Sequence, residues 1–327
     1  MMPLGNAEAH TAFASAMSSG SLHHAWLFTG PEGVGKASFA RIAAQRLLAE
    51  AASPGALPPG FDVPDTDRTA HLIAAGSHPD YRELARLPKD PDKPEGELAR
   101  SISIAQVRSL LPMFATKPAL SPRRVILIDA ADDLERPGAS NALLKNLEEP
   151  PQGTIFILIS HAPGRLLPTI RSRCRRLRFA PLSEAEMDAA LRQALPDASD
   201  ADRAALISAA DGAPGRALRF AALGMADLDA AMTSLAERGD ADNRVRARLA
   251  HDLGTKAAQP RYEAFLERAP GFIAGLATRR RDAALRQAID CYDQARALAG
   301  SARALSLDAQ ATVYEMATIL TRLAEHR

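Results

Sequence analysis

Eight consecutive residues have the types and spacing of a phosphate-binding loop. The segment GPEGVGKA, residues 30–37, fits the pattern G-x-x-x-x-G-K-[ST] at every defined position except the last. Gly30, Gly33 and Gly35 would let backbone N–H groups curl around phosphate oxygens, and Lys36 could reach the terminal phosphates. The alternative interpretation is a chance glycine turn. The loop therefore predicts a nucleotide as ligand.

The set of residues that a Mg²⁺-nucleotide needs as ligands is incomplete around this loop. Ala37 stands where a metal-binding hydroxyl is expected, and Ser38 follows one residue later, rotated by about 100° on the helix. The apolar run VILID, residues 125–129, predicts a strand that delivers Asp129 to the metal, although such an aspartate can also cap a turn. The loop could hold nucleotide weakly, hold it without turnover, or be an architectural remnant.

Strand and helix patterns alternate through residue 180. Apolar runs typical of buried strands occupy residues 25–29, 125–129 and 154–160, and HPDYREL, residues 78–84, is a weaker strand candidate. Helical patterns follow the glycine loop and cover IAQVRSLLPMF, residues 104–114, and NALLKNLEEPP, residues 141–151, which two prolines end. This alternation predicts a parallel sheet of βαβ units in one α/β domain.

Beyond residue 183 only helical patterns continue, interrupted by Gly and Pro. We predict an α/β domain over residues 1–180, a small helical domain over 181–225 and a helical bundle over 226–327. Two sets of residues are predicted to share helix faces in the bundle: Leu285, Ile289, Tyr292 and Ala295, and Val313, Ala317, Leu320 and Ala324.

Composition excludes several classes of protein. The 327 residues are 46% hydrophobic and 24% charged, which excludes a wholly disordered chain. Forty basic and 39 acidic residues leave a net charge of +1, so a histone-like cationic role is excluded. Cys174 and Cys291 are too few for a disulfide framework and are interpreted as buried apolar residues. Without an apolar run of about 18 residues, the sequence predicts a cytoplasmic protein with no membrane partner.

Three segments together resemble a known family. HHAWLFTGPEGVGK (residues 23–36), NALLKNLEEPP (141–151) and TIRSRC (169–174) resemble the bacterial sliding-clamp loader, and the defective nucleotide site is similar to that of the delta-prime family within DNA polymerase III. The resemblance covers residues 20 to about 220, and the rest only by length and helical character. It implies an AAA+ P-loop domain, a small helical lid and a C-terminal helical collar in a five-subunit ring.

The resemblance implies a role for one arginine at a subunit junction. Arg173, in Ser172-Arg173-Cys174, would reach the γ-phosphate of ATP on a neighbouring subunit, and loss of such a finger costs on the order of 10³ to 10⁵ in rate. The alternative is a solvated basic edge, formed by Arg171, Arg173, Arg175, Arg176 and Arg178.

Other positions acquire roles only through the resemblance. Ser160 would be the first sensor of the γ-phosphate, and Arg216, in GAPGRAL, the second, contributed by the lid. The alternatives are a strand-end cap for Ser160 and a surface charge for Arg216. AAA+ ATPases commonly carry a glutamate where this chain has Ala130, and Asp132 lies too far along to replace it.

The resemblance also implies partners and cofactors. The partners are the motor (gamma/tau) and delta subunits, the sliding clamp, and primer-template DNA inside the assembled ring. ATP or ADP with Mg²⁺ is expected to bind weakly or not at all. Zinc is not expected, because no cysteine lies between Lys36 and Cys174. The run Arg279–Arg281 is interpreted as a solvated helix face rather than a DNA contact.

Two other functions stay open at this point. An active AAA+ ATPase, as a clamp-loader motor or helicase loader, would need Ser38 and Asp132 to replace the missing groups. A small-molecule kinase of the phosphate-loop type has no support from the S-R-C segment or the helical C-terminal region. In the preferred interpretation, the chain belongs to a polymerase holoenzyme yet neither synthesises DNA nor hydrolyses much ATP alone.

Overall fold

The chain divides into two compact units. The computed structural model describes residues 2–20, 22–93, 96–305 and 307–324. One unit comprises Met1–Ala190 with Gly212–Gly215, and the other comprises Leu191–Asp211 with Arg216–Arg327. The predicted boundaries near residues 181 and 225 stay predictions.

A parallel β-sheet forms the centre of the first unit. Within the described residues it has five strands in the order β2-β3-β4-β1-β5. The strands are β1 (Ala25–Thr29), β2 (Tyr81–Ala85), β3 (Arg124–Asp129), β4 (Thr154–Ser160) and β5 (Arg175–Arg178). β1 and β4 are buried along their whole length, as expected for parallel strands covered on both faces. The register places Thr29 beside Ser160 and Ala85 beside Asp129.

Helices cover the sheet and connect its strands. Those of the first unit are α1 (Ala7–Ser18), α2 (Lys36–Ala52), α3 (Arg68–Ala74), α4 (Ile104–Arg108), α5 (Leu111–Phe114), α6 (Gly138–Glu148) and α7 (Pro168–Ser172). The single helix predicted over residues 104–114 is therefore two short ones. Pro112 lies in the first turn of α5, the part of a helix where a missing N–H is tolerated.

The two faces of the sheet bury separate apolar clusters. Phe13, Phe28 and Phe39 belong to the cluster under α1 and α2, and their rings pack edge to face or tilted with centroids 5.6–5.8 Å apart. Leu27 and Leu143 belong to the opposite cluster, beneath α6. Neighbouring residues of β1 thus point to opposite faces of the sheet.

The second unit is helical in its described residues. After α8 (Glu184–Ala194), which crosses the division between the units, come α9 (Asp200–Ala210), α10 (Pro214–Ala222), α11 (Ala226–Arg238), α12 (Arg244–Leu253), α13 (Gln259–Ala277), α14 (Asp282–Leu305) and α15 (Ala309–Thr321). The predicted α/β plus all-α fold class is thereby confirmed. No helix in the described residues is long and apolar enough to span a membrane.

The predicted faces of α15 and α14 are each partly confirmed. Val313, Ala317 and Leu320 are buried on α15, whereas Ala324 is half-buried in a short 3₁₀ helix beyond its end. On α14 Ile289 is 48% exposed. The buried stripe of α14 includes the predicted Ala295 and otherwise consists of alanines and one cysteine: Ala288, Cys291, Ala299 and Ala302. Small side chains allow helices to approach closely, so the largest apolar residue is not the one that marks the interface.

Candidate nucleotide site and arginine corner

The glycine loop lies between the carboxyl end of β1 and the first turn of α2. Gly30, Gly33 and Gly35 have φ angles of +150°, +85° and +96°, values that side chains rarely tolerate. A Cβ at Gly30 would lie 2.1 Å from the carbonyl oxygen of Phe179. These positions therefore require glycine, and the predicted strand–loop–helix arrangement is present.

Lys36 turns back onto the loop itself. Its Nζ donates to the carbonyl oxygens of Gly30 at 2.7 Å and Pro31 at 2.6 Å, and the residue is only 2% exposed. Burial lowers the pKa of Lys36 to about 8, although the carboxylates of Asp129, Glu32 and Asp132 act in the opposite direction. The positive charge of the loop is thus partly satisfied by the chain's own carbonyls.

Two segments distant in sequence pack against the loop. The backbone N–H of Gly215 donates to the carbonyl oxygen of Gly33 at 2.8 Å. A Cβ at Gly35 would lie 3.1 Å from Cβ of Pro3. Sequence reasoning missed both contacts, because neither Pro3 nor Gly215 carries a chemical signal. The loop is a packed junction of the first unit as well as a candidate phosphate site.

Asp129 ends β3 as predicted, and it contacts a cation of the chain. Its Oδ2 accepts from Nη2 of Arg41 on α2 at 3.4 Å. Nη2 of Arg41 also lies 2.5 Å from Oε1 of Glu83, whose Oε2 accepts from the hydroxyl of Tyr81 at 3.0 Å. Burial is the main cause that raises the pKa of Asp129, and the nearby Arg41 opposes it. No sequence motif identifies Arg41 or Glu83, because only the fold brings them together.

The residues around Asp129 do not fit a Mg²⁺ site. Magnesium requires oxygen ligands in near-octahedral geometry. Ala37 offers no oxygen, Ser38 is exposed on α2, and the carboxylate of Asp129 is bound to the Arg41 guanidinium. Ala130, which follows Asp129, is buried and has no titratable group.

Ser160 and Asp132 are paired at the end of β4. The Ser160 hydroxyl donates to Oδ1 of Asp132 at 2.9 Å, and the backbone N–H of His161 donates to Oδ2 at 2.6 Å. Both carboxylate oxygens of Asp132 therefore accept hydrogen bonds within the chain. Burial and nearby Lys36 lower the pKa of His161. This pairing agrees with the interpretation of Ser160 as a strand-end cap. The sensor role of Ser160 stays a prediction.

Arg173 follows the last residue of α7, and its guanidinium is held by two neighbours. Nη1 donates to the carbonyl oxygen of Thr169 at 3.0 Å, and Nη2 lies 2.6 Å from Oε1 of Glu148, the last residue of α6. The next residue, Cys174, packs against the apolar core, and burial raises the pKa of its thiol to about 12. We call Arg173, Thr169 and Glu148 the arginine corner.

The other predicted basic residues lie in two places. Arg175, Arg176 and Arg178 are exposed on β5, and the guanidinium of Arg175 lies 5.1 Å from the centre of the Trp26 ring. In the run Arg279–Arg281 the middle residue donates from Nη2 to the carbonyl oxygen of Leu323 at 2.8 Å. The run lies between the end of α13 and the start of α14, so the prediction of a solvated helix face is wrong.

Arg216 lies in the second unit and is paired there. Its Nη1 lies 3.0 Å from Oδ2 of Asp211, and its Nε lies 3.0 Å from Oε1 of Glu267 on α13. Arg219 also pairs with Glu267. Two carboxylates therefore balance the charge of Arg216, and its role as second sensor stays a prediction.

Comparisons with known proteins point to one replication machinery. Residues 5–183 match the family described as DNA polymerase III, delta subunit. A Pseudomonas aeruginosa protein named DNA polymerase III subunit delta' is 38% identical over 193 residues, which cover 58% of this chain and 53% of that protein. The Escherichia coli delta' protein is 35% identical over 201 residues, which cover 61% of this chain and 55% of that protein.

Relatives with other names also match this chain. The Escherichia coli subunit tau is 35% identical over 179 residues, which cover 55% of this chain and 25% of tau. Among solved structures, a gamma subunit-related protein from Thermotoga maritima superposes with a TM-score of 0.46 at 14% identity and covers 97% of this chain and 99% of its own. The chain spans about half the length of the delta' relatives that it matches.

Proposed function

The chain belongs to the family described as DNA polymerase III, delta subunit, and from this premise we propose that it is a delta-prime subunit of a clamp loader. Such a complex places the sliding clamp on primed DNA during replication. In this proposal the chain is a stator, which completes a neighbouring subunit's ATP site with Arg173 and turns over little or no nucleotide itself.

The observation that carries the proposal is the contrast between two parts of the first unit. Around the phosphate loop, Ala37 supplies no metal ligand and Asp129 is paired with Arg41. At the arginine corner, the side chain of Arg173 is 35% exposed, and its backbone N–H donates to the carbonyl oxygen of Ile170. A guanidinium can stabilise charge on a phosphoryl group supplied by another chain without any metal site of its own.

The proposal includes partners and an internal organisation. The partners are the motor (gamma/tau) and delta subunits, the sliding clamp and primer-template DNA, all in the cytoplasm. Residues 1–180 would form the AAA+ domain, 181–225 the lid and 226–327 the oligomerising collar. If ATP or ADP binds the phosphate loop, Lys36 and Ser160 are the residues of the first unit that we propose to face it.

The test measures DNA-stimulated ATP hydrolysis by the reassembled complex. The chain is mixed with the motor and delta subunits of its own organism, as wild type, as Arg173→Ala and as the control Arg171→Ala. We expect Arg173→Ala to lower turnover at the completed site on the order of 10³-fold, while assembly, followed by gel filtration, is preserved. Arg171→Ala should match wild type.

Two results would overturn the proposal. One is a complex with Arg173→Ala that hydrolyses ATP as fast as wild type. The other is hydrolysis by the isolated chain that accounts for all turnover and disappears in Lys36→Ala, which would favour an active AAA+ ATPase instead.

A further inference from the structure

The arginine corner contains an acidic residue for which no role has been assigned so far. Glu148 ends α6, and its Oε1 lies 2.6 Å from Nη2 of Arg173. We propose that Glu148 is a positioning residue, which holds the guanidinium of Arg173 in the geometry that a neighbouring subunit's phosphate requires. This inference rests on the proposed function, because it presupposes that Arg173 acts in trans.

Glu148 stands on a fixed part of the fold. The preceding residue, Leu147, is buried, and its carbonyl oxygen accepts a hydrogen bond from Nε2 of His24 at 3.1 Å. Glu149 comes next, followed by Pro150 and Pro151, and each proline has a fixed φ. A carboxylate on such a base can restrain a long, flexible side chain, whereas the same carboxylate on a mobile loop could not.

The contacts of the corner leave the guanidinium able to bind an anion. Arginine has five N–H donors. Thr169 takes one from Nη1 and Glu148 one from Nη2, so three remain for phosphate oxygens. The pair with Glu148 therefore need not break when Arg173 engages a ligand, which favours positioning over autoinhibition.

The ion pair itself contributes little to the stability of the fold. The side chains of Arg173 and Glu148 are 35% and 47% exposed, and ion pairs exposed to this degree have weak effects on folding. Removing the carboxylate should thus release the arginine without unfolding the chain. Arginine has several freely rotating bonds, so we expect a released finger to act roughly 3- to 30-fold more slowly.

The experiment uses the reassembled complex with Glu148→Gln and Glu148→Asp. The matched control is Glu149→Gln, since Glu149 is the adjacent, exposed residue and makes no ion pair in the part of the chain that the structure describes. We expect Glu148→Gln to lower kcat of DNA-stimulated ATP hydrolysis with KM for ATP unchanged. Glu148→Asp should recover part of the loss, and Glu149→Gln should match wild type.

A double variant distinguishes positioning from a general structural effect. In the Arg173→Ala background, Glu148→Gln should cause no further loss, because the residue that it positions is gone. An equal loss in both backgrounds would overturn the positioning role, as would a Glu148→Gln complex with the wild-type kcat while Arg173→Ala is impaired. If Arg173→Ala itself hydrolyses ATP like wild type, the proposed function fails, and this inference fails with it.

Discussion

The phosphate loop and the arginine corner belong to the same compact unit and use their cations in opposite ways. Lys36 is almost fully buried and bonds to carbonyl oxygens of its own loop. Arg173 also contacts its own chain, but it stays partly exposed and keeps most of its donors. One cation is bound to the loop that carries it, while the other remains able to bind a group outside the chain.

This difference suggests that a binding motif can be retained for reasons of folding. The glycines of the loop accommodate Phe179 and the segment around Gly215, so their replacement would disturb packing whether or not a nucleotide binds. The arginine corner has no comparable role in the core. We therefore expect loop variants to change stability first and variants of the arginine corner to change activity first.

The largest effect on stability is expected for Gly30→Ala. Its Cβ would meet a backbone carbonyl oxygen at 2.1 Å, and with the positive φ we expect the free energy of unfolding to fall by about 4 kcal/mol. Urea denaturation followed by circular dichroism measures this change. Gly164→Ala is the control, since a Cβ there meets nothing within 4 Å.

Arg173→Ala tests the expectation that variants of the arginine corner change stability little. The same denaturation curve should show a change of at most about 1 kcal/mol, because the ion pair that it removes is exposed. If Arg173→Ala destabilised the chain as much as Gly30→Ala, the proposed separation of folding from activity would be wrong.

The next effect is the pH dependence of folding stability that Lys36 causes. Burial lowers its pKa to about 8 from 10.5. Below pH 8 the amine is charged in both states, whereas between pH 8 and 10.5 the unfolded chain keeps a proton that the folded chain has lost. The stability of wild type relative to Lys36→Met should therefore rise across this window by about 3 kcal/mol.

Urea denaturation of both proteins at several pH values from 7 to 10.5 tests this expectation. Subtracting the two profiles removes the titration of all groups that they share. A difference that stays constant with pH would show that Lys36 is not buried as described.

The smallest effect is expected when the missing hydroxyl is restored. Ala37→Thr, alone or with Ala130→Glu, should leave ATP hydrolysis by the isolated chain at the wild-type level, because Arg41 still pairs with Asp129. Phosphate release in the presence of Mg²⁺ measures this, with the motor subunit of the same organism as positive control. Hydrolysis that appears in Ala37→Thr and disappears when Lys36→Ala is added would show that the loop lacks only the metal-binding hydroxyl.

Local patterns predicted the glycine loop and four of the five described strands, whereas β5, with its three exposed arginines, was not predicted. The strands that end at Thr29, Asp129 and Ser160 were evident because buried parallel strands are continuous apolar runs, and the glycine spacing identified the turn after the first of them. The pairing of Arg41 with Glu83 could not be predicted, since they are 42 positions apart in sequence and only the packing of α2 on β3, the neighbour of β2, brings them together.

Other features that were wrongly predicted or not predicted also have physical causes. Ile289 was assigned to a buried face of α14 because it is large and apolar, whereas alanines form the stripe. The contact between Glu148 and Arg173 joins the ends of α6 and α7, which β4 separates in sequence. In the sequence alone, neither residue can be distinguished from an ordinary surface charge. The S-R-C resemblance identified Arg173, but only the structure shows what holds it.

The edge strand β5 has a consequence for self-association. Its outer side has no neighbouring strand in the described sheet, and unpaired strand edges invite the same edge of another molecule. Its exposed positions are all arginines: Arg175, Arg176 and Arg178. In a pairing between two copies these side chains would face one another, and like charges directly opposite destabilise a sheet. The arginines that follow Arg173 are thus expected to disfavour pairing of two copies through this edge.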